Sequence, residues 1–278
     1  MKLVNGYKLF DYAKSHNILL PAFNTTNYEL TYGIIKGLQE SGKGGIIQVS
    51  SSNLEISGPE LVVDMVNFAM KDLNVTVPIS LHLDHGASFE DVRDCIDAGF
   101  TSIMIDASHL PFEENINSVR QVVEYCHFYD IPVEAELGAI GGKEEAKEGT
   151  EDKTNPDEVY DFVKKTGCDI LAVSVGNVHG FDVEPEIDFD LLEQISNVSP
   201  VPLVFHGGSG IPFGDIKKAR HSNLIKVNYG ADLRRAFIST FGEEYKNNPG
   251  AFDVKTLSKE SINNVSQRVK IISNSINS

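Results

Sequence analysis

Eight short apolar segments constrain the fold of this chain more than any other feature of its sequence. They cover residues 18–24, 46–50, 79–84, 102–108, 133–138, 170–176, 203–209 and 225–230. Most are continuous runs of Val, Ile, Leu and Ala without strict alternation, which is typical of parallel strands covered on both faces. Because helical stretches separate them, they predict an α/β fold of the (β/α)8 TIM barrel type, with a doubly wound sheet as the alternative.

Helix signals occupy the intervals between these segments. A helix over about residues 6–15 is predicted to open the chain, and Ser88 is predicted to cap a helix that Gly99 ends. Two further helical stretches follow the last strand, and the final one, about residues 257–272, is predicted to be an addition to the barrel. Since no internal repeat or low-complexity linker divides the sequence, we expect a single domain over residues 1–278.

The acidic composition excludes some partners. A formal net charge of -16 argues against non-specific binding to nucleic acid or to an anionic membrane, because both need a basic surface. The sequence has no run of 18 apolar residues, so neither a signal peptide nor a membrane span is expected. Cys95, Cys126 and Cys168 are odd in number and far apart in apolar segments, which predicts reduced core thiols in a cytoplasmic protein.

Polar residues collect where the predicted strands end. They are Asn24, Ser50, Asp84, His85, Asp106, Glu136, His206, Ser209 and Asn228, with His179 and Gly180 just past the sixth segment. In an eight-stranded barrel the carboxyl ends of all strands surround one mouth, where active sites of this fold are built. The sequence therefore predicts a single site at that mouth.

Three of the histidines lie at these strand ends, each followed by a glycine. His85, His179 and His206 could provide three imidazole ligands and leave a fourth position open, which describes a catalytic zinc site. Each of them alone also fits a hydrogen-bonded structural histidine. Because neighbouring side chains on a strand point to opposite faces, Asp84 and His85 can share one site only if the chain turns there, and we expect Gly86 to permit the turn.

The carboxylates near these histidines allow more than one role. Asp84 could be an ion-pair partner, a metal ligand or a general base, and a cation beside it favours the base. Asp106 and Glu136 could orient the ligating histidines, hold the metal in an alternative position, or pair structurally. His82 shares the inward face of Asp84 and is interpreted as a residue that braces the site.

Two glycine-rich regions point to substrate binding. The loop 206–210 and the end of the eighth segment, 227–231, follow the last two strands, where oriented N–H groups bind anions, so we expect a phosphate there. Residues 139–155 are glycine-rich and charged after a strand, which fits a mobile lid or a solvated loop.

The segments 82–85, 105–115, 133–138 with Gly141 and Gly142, and 206–210 resemble those of the class II, metal-dependent ketose-bisphosphate aldolases. The resemblance includes the tagatose- and fructose-bisphosphate branches and covers nearly the whole chain in order. It implies a zinc-dependent (β/α)8 aldolase that forms a homodimer or homotetramer, with a monovalent cation, Na⁺ or K⁺, near the phosphate.

The resemblance also implies roles for individual residues. Asp84 falls on the catalytic aspartate, Glu144 on the lid glutamate that handles the carbon proton, and Asp106 and Glu136 on auxiliary metal-site carboxylates. The zinc ligands fall on His85, His179 and His206. Substrate contacts are expected from Asn24, Ser50, Gly180, Gly207, Ser209, Asn228, Ala231 and Lys259. Related sequences commonly have threonine at Ala231 and arginine for a second phosphate near Lys259.

The expected function is the zinc-dependent, reversible cleavage of a ketose 1,6-bisphosphate, tagatose- or fructose-bisphosphate, to dihydroxyacetone phosphate and glyceraldehyde 3-phosphate. The expected partner is this phosphorylated sugar. Two alternatives stay open: a class II aldolase that releases dihydroxyacetone phosphate from another phosphorylated sugar or sugar acid, and a non-catalytic subunit that stabilises an aldolase complex.

Overall fold

The computed structural model describes residues 3–140, 152–250 and 252–278. Its strands form a closed barrel in which each strand runs parallel to its neighbours in chain order and the last pairs with the first. The strands are β1 (Leu20–Asn24), β2 (Gly45–Ser50), β3 (Ile79–Gly86), β4 (Ser102–Ile105), β5 (Val133–Leu137), β6 (Ile170–Val173), β7 (Leu203–Phe205) and β8 (Leu224–Tyr229). This closure confirms the (β/α)8 barrel and excludes the doubly wound sheet.

Helices surround the barrel. They are α1 (Gly6–Ser15), α2 (Tyr28–Ser41), α3 (Ser51–Asp72), α4 (Phe89–Ala98), α5 (Phe112–Phe128), α6 (Pro156–Thr166), α7 (Phe189–Val198), α8 (Phe213–Ala219), α9 (Ala231–Asn247) and α10 (Val254–Ser275). The Ser88 side chain accepts a hydrogen bond from the Asp91 N–H, and Gly99 ends α4 in the left-handed conformation, as the sequence predicts. The chain also carries the predicted C-terminal helices.

The added helix α10 packs against α2 and α9. Gly37 of α2 permits the close approach, because a Cβ built there would lie 2.6 Å from the Ser266 carbonyl oxygen. Asn277, just past α10, holds the start of β1: its side chain accepts from the Leu19 N–H at 2.7 Å and donates to the Leu19 carbonyl at 2.9 Å. The C-terminal addition is therefore tied to the barrel wall by hydrogen bonds as well as by packing.

Apolar side chains close one end of the barrel. Leu9, Phe10 and Ala13 of α1 form a buried cluster with inward residues of the strands, among them Leu20 and Ile46. The larger core lies between the strands and the outer helices. Because α1 covers the amino ends of the strands, only the carboxyl ends are left for a site.

The strands end earlier than several predicted segments. The segment predicted to end at residue 108 leaves the sheet after Ile105, and the one predicted to end at residue 209 leaves it after Phe205. In both cases the polar residues at the end of the segment belong to the loop, where they face the mouth instead of a neighbouring strand. No helix within the three described ranges combines the length and hydropathy of a membrane span.

Candidate active site and metal centre

A cavity opens at the carboxyl ends of the strands. Its walls come from β1, β3, β8, the first turns of α9 and the loops after β6 and β7. The lining residues are Asn24, Asp84, His85, His179, Gly180, Gly207, Ser209, Asn228, Gly230 and Arg234. Eight of these ten are residues that the sequence analysis singled out, and Gly230 and Arg234 are additional.

A backbone irregularity in β3 brings Asp84 and His85 into this cavity together. The pairing of β3 with β4 shifts register between Leu83 and Gly86, and His85 has a φ of 47°. The predicted role of Gly86 as the turning residue is therefore wrong, because the left-handed residue is His85 and the strand continues through Gly86. A glycine is needed at that position for a different reason: a Cβ there would lie 2.5 Å from the Met104 carbonyl oxygen.

The three candidate imidazoles converge. Nε2 of His85 lies 2.9 Å from Nδ1 of His206, and the ring centre of His179 lies 5.5 Å from that of His85 and 5.8 Å from that of His206. One ligand atom from each ring falls within 4.8 Å of the others. Three imidazole nitrogens at this separation can ligate one divalent cation and leave a position open for a substrate oxygen.

Carboxylates hold the outer nitrogens of two of these rings. His85 Nδ1 lies 2.7 Å from Oδ2 of Asp106, and His206 Nε2 lies 2.8 Å from Oε1 of Glu134. An ionised carboxylate only accepts hydrogen bonds, so each ring donates from its outer nitrogen and turns the lone pair of the inner nitrogen toward the shared point. Asp106 is itself fixed, since its Oδ1 accepts from the Ser108 N–H at 3.0 Å and hydroxyl at 2.8 Å.

Glu136 supplies the observation that tests whether a cation fits here. Its side chain is buried, and Oε2 lies 3.7 Å from His206 Nδ1 without a hydrogen-bond partner among the described residues. Burial and the neighbouring Asp106 raise the pKa of Glu136 well above its ordinary value. A buried carboxylate oxygen without a donor, beside three imidazoles, fits a divalent cation, and His85, Asp106 and Glu136 form a second group that could hold one.

Asp84 is held by two amides. Its Oδ2 accepts from Asn24 Nδ2 at 2.7 Å and its Oδ1 accepts from Asn228 Nδ2 at 3.1 Å, while Asn24 Oδ1 accepts from Gln48 Nε2 at 2.9 Å. Burial opposes ionisation, but the positive charges of His85 and Lys226 outweigh it and lower the pKa of Asp84. Asp84 is thus an oriented carboxylate that is ready to accept a proton.

The histidines differ in protonation. Burial, reinforced by repulsion from His85, lowers the pKa of His179 to about 3 and lowers the pKa of His206 well below its ordinary value. Burial also disfavours the charged form of His85, but Asp84 and Asp106 outweigh it and raise the pKa of His85. His179 and His206 are therefore neutral at physiological pH, as metal ligation requires, whereas His85 would have to lose a proton to bind a cation.

The loop after β7 borders the cavity through Gly207 and Ser209, while its Gly208 and Gly210 N–H groups donate to the Asn228 and Gly207 carbonyls at 2.8 Å and 3.2 Å. Gly207 has a φ of 70°, and a Cβ there would lie 2.0 Å from the Val178 carbonyl oxygen, so only glycine fits. Ser209 Oγ accepts from the Asp232 N–H at 3.1 Å, which leaves its hydroxyl proton available to a ligand. The N-terminus of α9 and the Arg234 side chain border the same part of the cavity.

Several predicted residues lie elsewhere. Ser50 is buried at the end of β2, where its hydroxyl contacts Ser52 and Asn53 at 3.0 Å each, and it is not among the residues that line the cavity. Ala231 is the first residue of α9, beside the cavity wall, and Lys259 is exposed on α10. Glu144 and most of the predicted lid lie outside the described residues.

Sequence reasoning missed four residues of this site: Gln48, Glu134, Lys226 and Arg234. The first three lie inside strands, two positions before residues that were singled out at the strand ends, so they share the same inward face. That two-residue spacing from Ser50, Glu136 and Asn228 was the available signal. Arg234 is one helical turn past the end of β8 and carried no such signal.

Comparison with known proteins decides the family. Residues 4–278 match the family described as "Fructose-bisphosphate aldolase class-II". The chain belongs to the class II fructose-bisphosphate aldolase family. This class II aldolase is 41% identical over 257 residues to the fructose-bisphosphate aldolase of Staphylococcus epidermidis, an alignment that covers 91% of this chain and 90% of that protein.

Other relatives agree with that assignment. The aldolase is 40% identical over 261 residues to the fructose-bisphosphate aldolase of Geobacillus stearothermophilus, which covers 92% and 91% of the two chains. Its fold superposes on the crystal structure of the YdjI aldolase from Escherichia coli K12 with a TM-score of 0.85 and 30% identity, over 99% of this chain and 97% of the other. The protein is therefore a lyase of carbohydrate metabolism built on a TIM barrel.

Proposed function

We propose that this class II aldolase catalyses the zinc-dependent, reversible cleavage of a ketose 1,6-bisphosphate, tagatose- or fructose-bisphosphate, to dihydroxyacetone phosphate and glyceraldehyde 3-phosphate. The observation that carries the proposal is the convergence of three imidazoles next to one oriented carboxylate, with Asp84, His85 and His179 lining the same cavity. His85 Nε2 and His206 Nδ1 lie 2.9 Å apart, with His179 beside them. Fructose-bisphosphate aldolase is also the activity that names the relatives from Staphylococcus epidermidis and Geobacillus stearothermophilus.

The zinc would be held by His85, His179 and His206, and when bound it supplies a Lewis acid that polarises the ketone at C2. Asp84 is the general base that removes the proton of the C4 hydroxyl, which starts the cleavage of the C3–C4 bond. Asn24 and Asn228 orient that carboxylate for the transfer. Glu144 is proposed to move the proton at carbon in the three-carbon fragment.

The glycine loop is proposed to hold the phosphate of the three-carbon half. Gly180, Gly207, Ser209 and Asn228 all line the cavity, and Arg234 adds a cation at its border. The Ala231 N–H at the start of α9 is proposed to compensate for the hydroxyl that Ala231 lacks. A monovalent cation, Na⁺ or K⁺, beside the phosphate belongs to the same proposal.

Lys259 is proposed to contact the second phosphate, and Ser50 is proposed to contact the substrate. Lys259 is exposed on α10 and is not among the cavity-lining residues, so a contact from it would need the substrate to extend beyond the cavity or a second copy of the chain to contribute it. Assembly as a homodimer or homotetramer is part of this proposal.

An aldol-cleavage assay tests the function. Purified enzyme is incubated with tagatose 1,6-bisphosphate or fructose 1,6-bisphosphate, with and without a strong chelator, and dihydroxyacetone phosphate is measured. We expect cleavage of at least one of them, loss of activity after chelation, and recovery with zinc. His179→Ala is expected to abolish turnover, whereas His109→Ala, at an exposed histidine, is the matched control. Turnover that survives complete metal removal would refute the mechanism.

A further inference from the structure

A fully buried ion pair lies beneath the three histidines and takes no part in the proposed reaction. Glu134 of β5 and Lys226 of β8 are both 0% exposed, and Nζ of Lys226 lies 2.7 Å from Oε2 of Glu134. The interior of a TIM barrel is usually filled by branched apolar residues, and replacing a buried ion pair with apolar residues of similar size is often neutral or stabilising. Stability alone therefore does not account for this pair.

The second oxygen of Glu134 contacts a candidate metal ligand. Oε1 lies 2.8 Å from Nε2 of His206. A carboxylate can only accept at this position, so His206 carries its hydrogen on Nε2 and presents the lone pair of Nδ1 to the point that it shares with His85. Among the described residues, Glu134 is the one hydrogen-bond partner of His206 Nε2, so no other contact of that nitrogen selects this tautomer.

Lys226 fixes the orientation of the Glu134 side chain. Its ammonium donates to Oε2 and lies 3.4 Å from His82 Nε2, while His82 Nδ1 is held by Ser102 Oγ at 2.8 Å. Lys226 does not line the cavity, so it cannot touch the substrate. Its hydrogen-bonded path to the three histidines runs through Glu134 to His206.

We propose that Glu134 and Lys226 form a positioning pair that sets the tautomer and orientation of His206 for metal binding. The inference rests on the proposed zinc site. Carboxylates that hold the outer nitrogen of a ligating histidine commonly change metal affinity by about 10- to 100-fold when they are removed. We expect a loss of that size here, although neither residue touches the metal or the substrate.

Glu134→Gln is the sharpest single substitution because it keeps the shape of the side chain. The ammonium of Lys226 requires an acceptor, so the new carbonyl oxygen faces Lys226 and the new NH₂ group faces His206 Nε2. His206 Nε2 must then accept a hydrogen bond, so the ring hydrogen moves to Nδ1. Nδ1 then has no lone pair left to ligate zinc. Lys226→Met removes the charge that anchors the carboxylate and is expected to weaken zinc binding in the same direction.

The test measures the zinc dissociation constant by competition with a chelator, together with the melting temperature of the metal-free protein. We expect a 10- to 100-fold weaker affinity in Glu134→Gln and in Lys226→Met. In the double variant Glu134→Leu/Lys226→Met, the gain from replacing a buried ion pair is offset by the loss of the acceptor for His206 Nε2, so it is expected to melt near the wild-type temperature and still bind zinc weakly. Ser102→Ala, which removes a buried contact of His82 but none of His206, is the matched control and is expected to stay within about threefold of wild type.

Two results would overturn the inference. Wild-type zinc affinity in Glu134→Gln would show that the carboxylate does not set the tautomer. Recovery of wild-type affinity in the double variant, along with stability, would show that the pair only supports packing. A wild-type protein that binds no zinc would instead refute the proposed function, so the two failures are distinguishable.

Discussion

Replacing Asp84 with asparagine separates the chemical role of the carboxylate from its structural role. The substitution keeps the shape of the side chain but turns one of its two acceptors into a donor. Both current partners are amide donors, with Asn24 at 2.7 Å and Asn228 at 3.1 Å. One of these amides must therefore rotate to present its oxygen.

The structure identifies which amide rotates. Asn24 is fixed, because its oxygen accepts from Gln48 at 2.9 Å and would be exchanged for a second donor. Asn228 is free to rotate, since its Oδ1 is buried without a hydrogen-bond partner among the described residues and would gain one from the new NH₂ group. The number of hydrogen bonds is unchanged, and the loss of two charge-assisted bonds is offset by the smaller desolvation cost of a neutral side chain.

We therefore expect Asp84→Asn to change the free energy of unfolding by no more than about 1 to 2 kcal/mol. Loss of a general base lowers kcat by about 10² to 10⁴, which is about 3 to 5 kcal/mol of barrier. The assays are thermal unfolding, zinc content by elemental analysis, and single-substrate kinetics. Asp97→Asn, the same chemical change at an exposed site, is the control. A folded, zinc-loaded Asp84→Asn enzyme with more than about a tenth of the wild-type kcat would refute the reasoning.

Three other predictions follow from the same structure. Burial raises the pKa of Cys126 and of Cys168 to about 12, so both thiols stay protonated at pH 8. A thiol reagent is therefore expected to label them only on unfolding, and fast labelling of the native protein would contradict this. Asn277→Ala should lower the free energy of unfolding by about 1 to 3 kcal/mol in chemical denaturation, because it leaves the buried Leu19 N–H and carbonyl unpaired. The control Asn274→Ala, at an exposed residue of α10, should change that free energy by less than about 0.5 kcal/mol. His85 holds a proton below its raised pKa and must lose that proton to ligate zinc. Zinc binding is therefore expected to release a proton at neutral pH and to weaken as the pH falls. Calorimetry in buffers of different ionisation enthalpy measures the proton release, and its absence would contradict this prediction.

The barrel could be predicted from the sequence because each strand is buried on both faces and stays apolar along its length. The polar residues that interrupt these runs at their ends therefore stand out in the sequence, and they include His85 and His206, with His179 just past the sixth run. Their convergence at one point follows from the closed strand order, which brings β3, β6 and β7 to a common mouth.

The backbone at His85 could not be predicted in the same way. Alternation along a strand places Asp84 and His85 on opposite faces, and the adjacent glycine was the natural candidate for a turn. The structure instead places the left-handed conformation on His85, where Ser51 Oγ donates to the His85 carbonyl at 3.1 Å and accepts from the Ala87 N–H at 3.1 Å. Such a bulge depends on a tertiary hydrogen bond 34 residues away, which no local pattern records.

The Glu134–Lys226 pair could not be predicted from the sequence either, since its members are 92 residues apart and each lies within an otherwise apolar strand.

The carboxylates behind the histidines explain why two of the rings meet so closely. Asp106 and Glu134 each take the hydrogen of one imidazole's outer nitrogen, so the lone pairs of His85 Nε2 and His206 Nδ1 meet 2.9 Å apart. Two lone pairs at that distance repel unless a cation or a proton lies between them. Asp106 and Glu134 therefore make the point between the two rings require a positive charge. The raised pKa of His85 shows that a proton meets this requirement, and a bound cation would meet it in the same way.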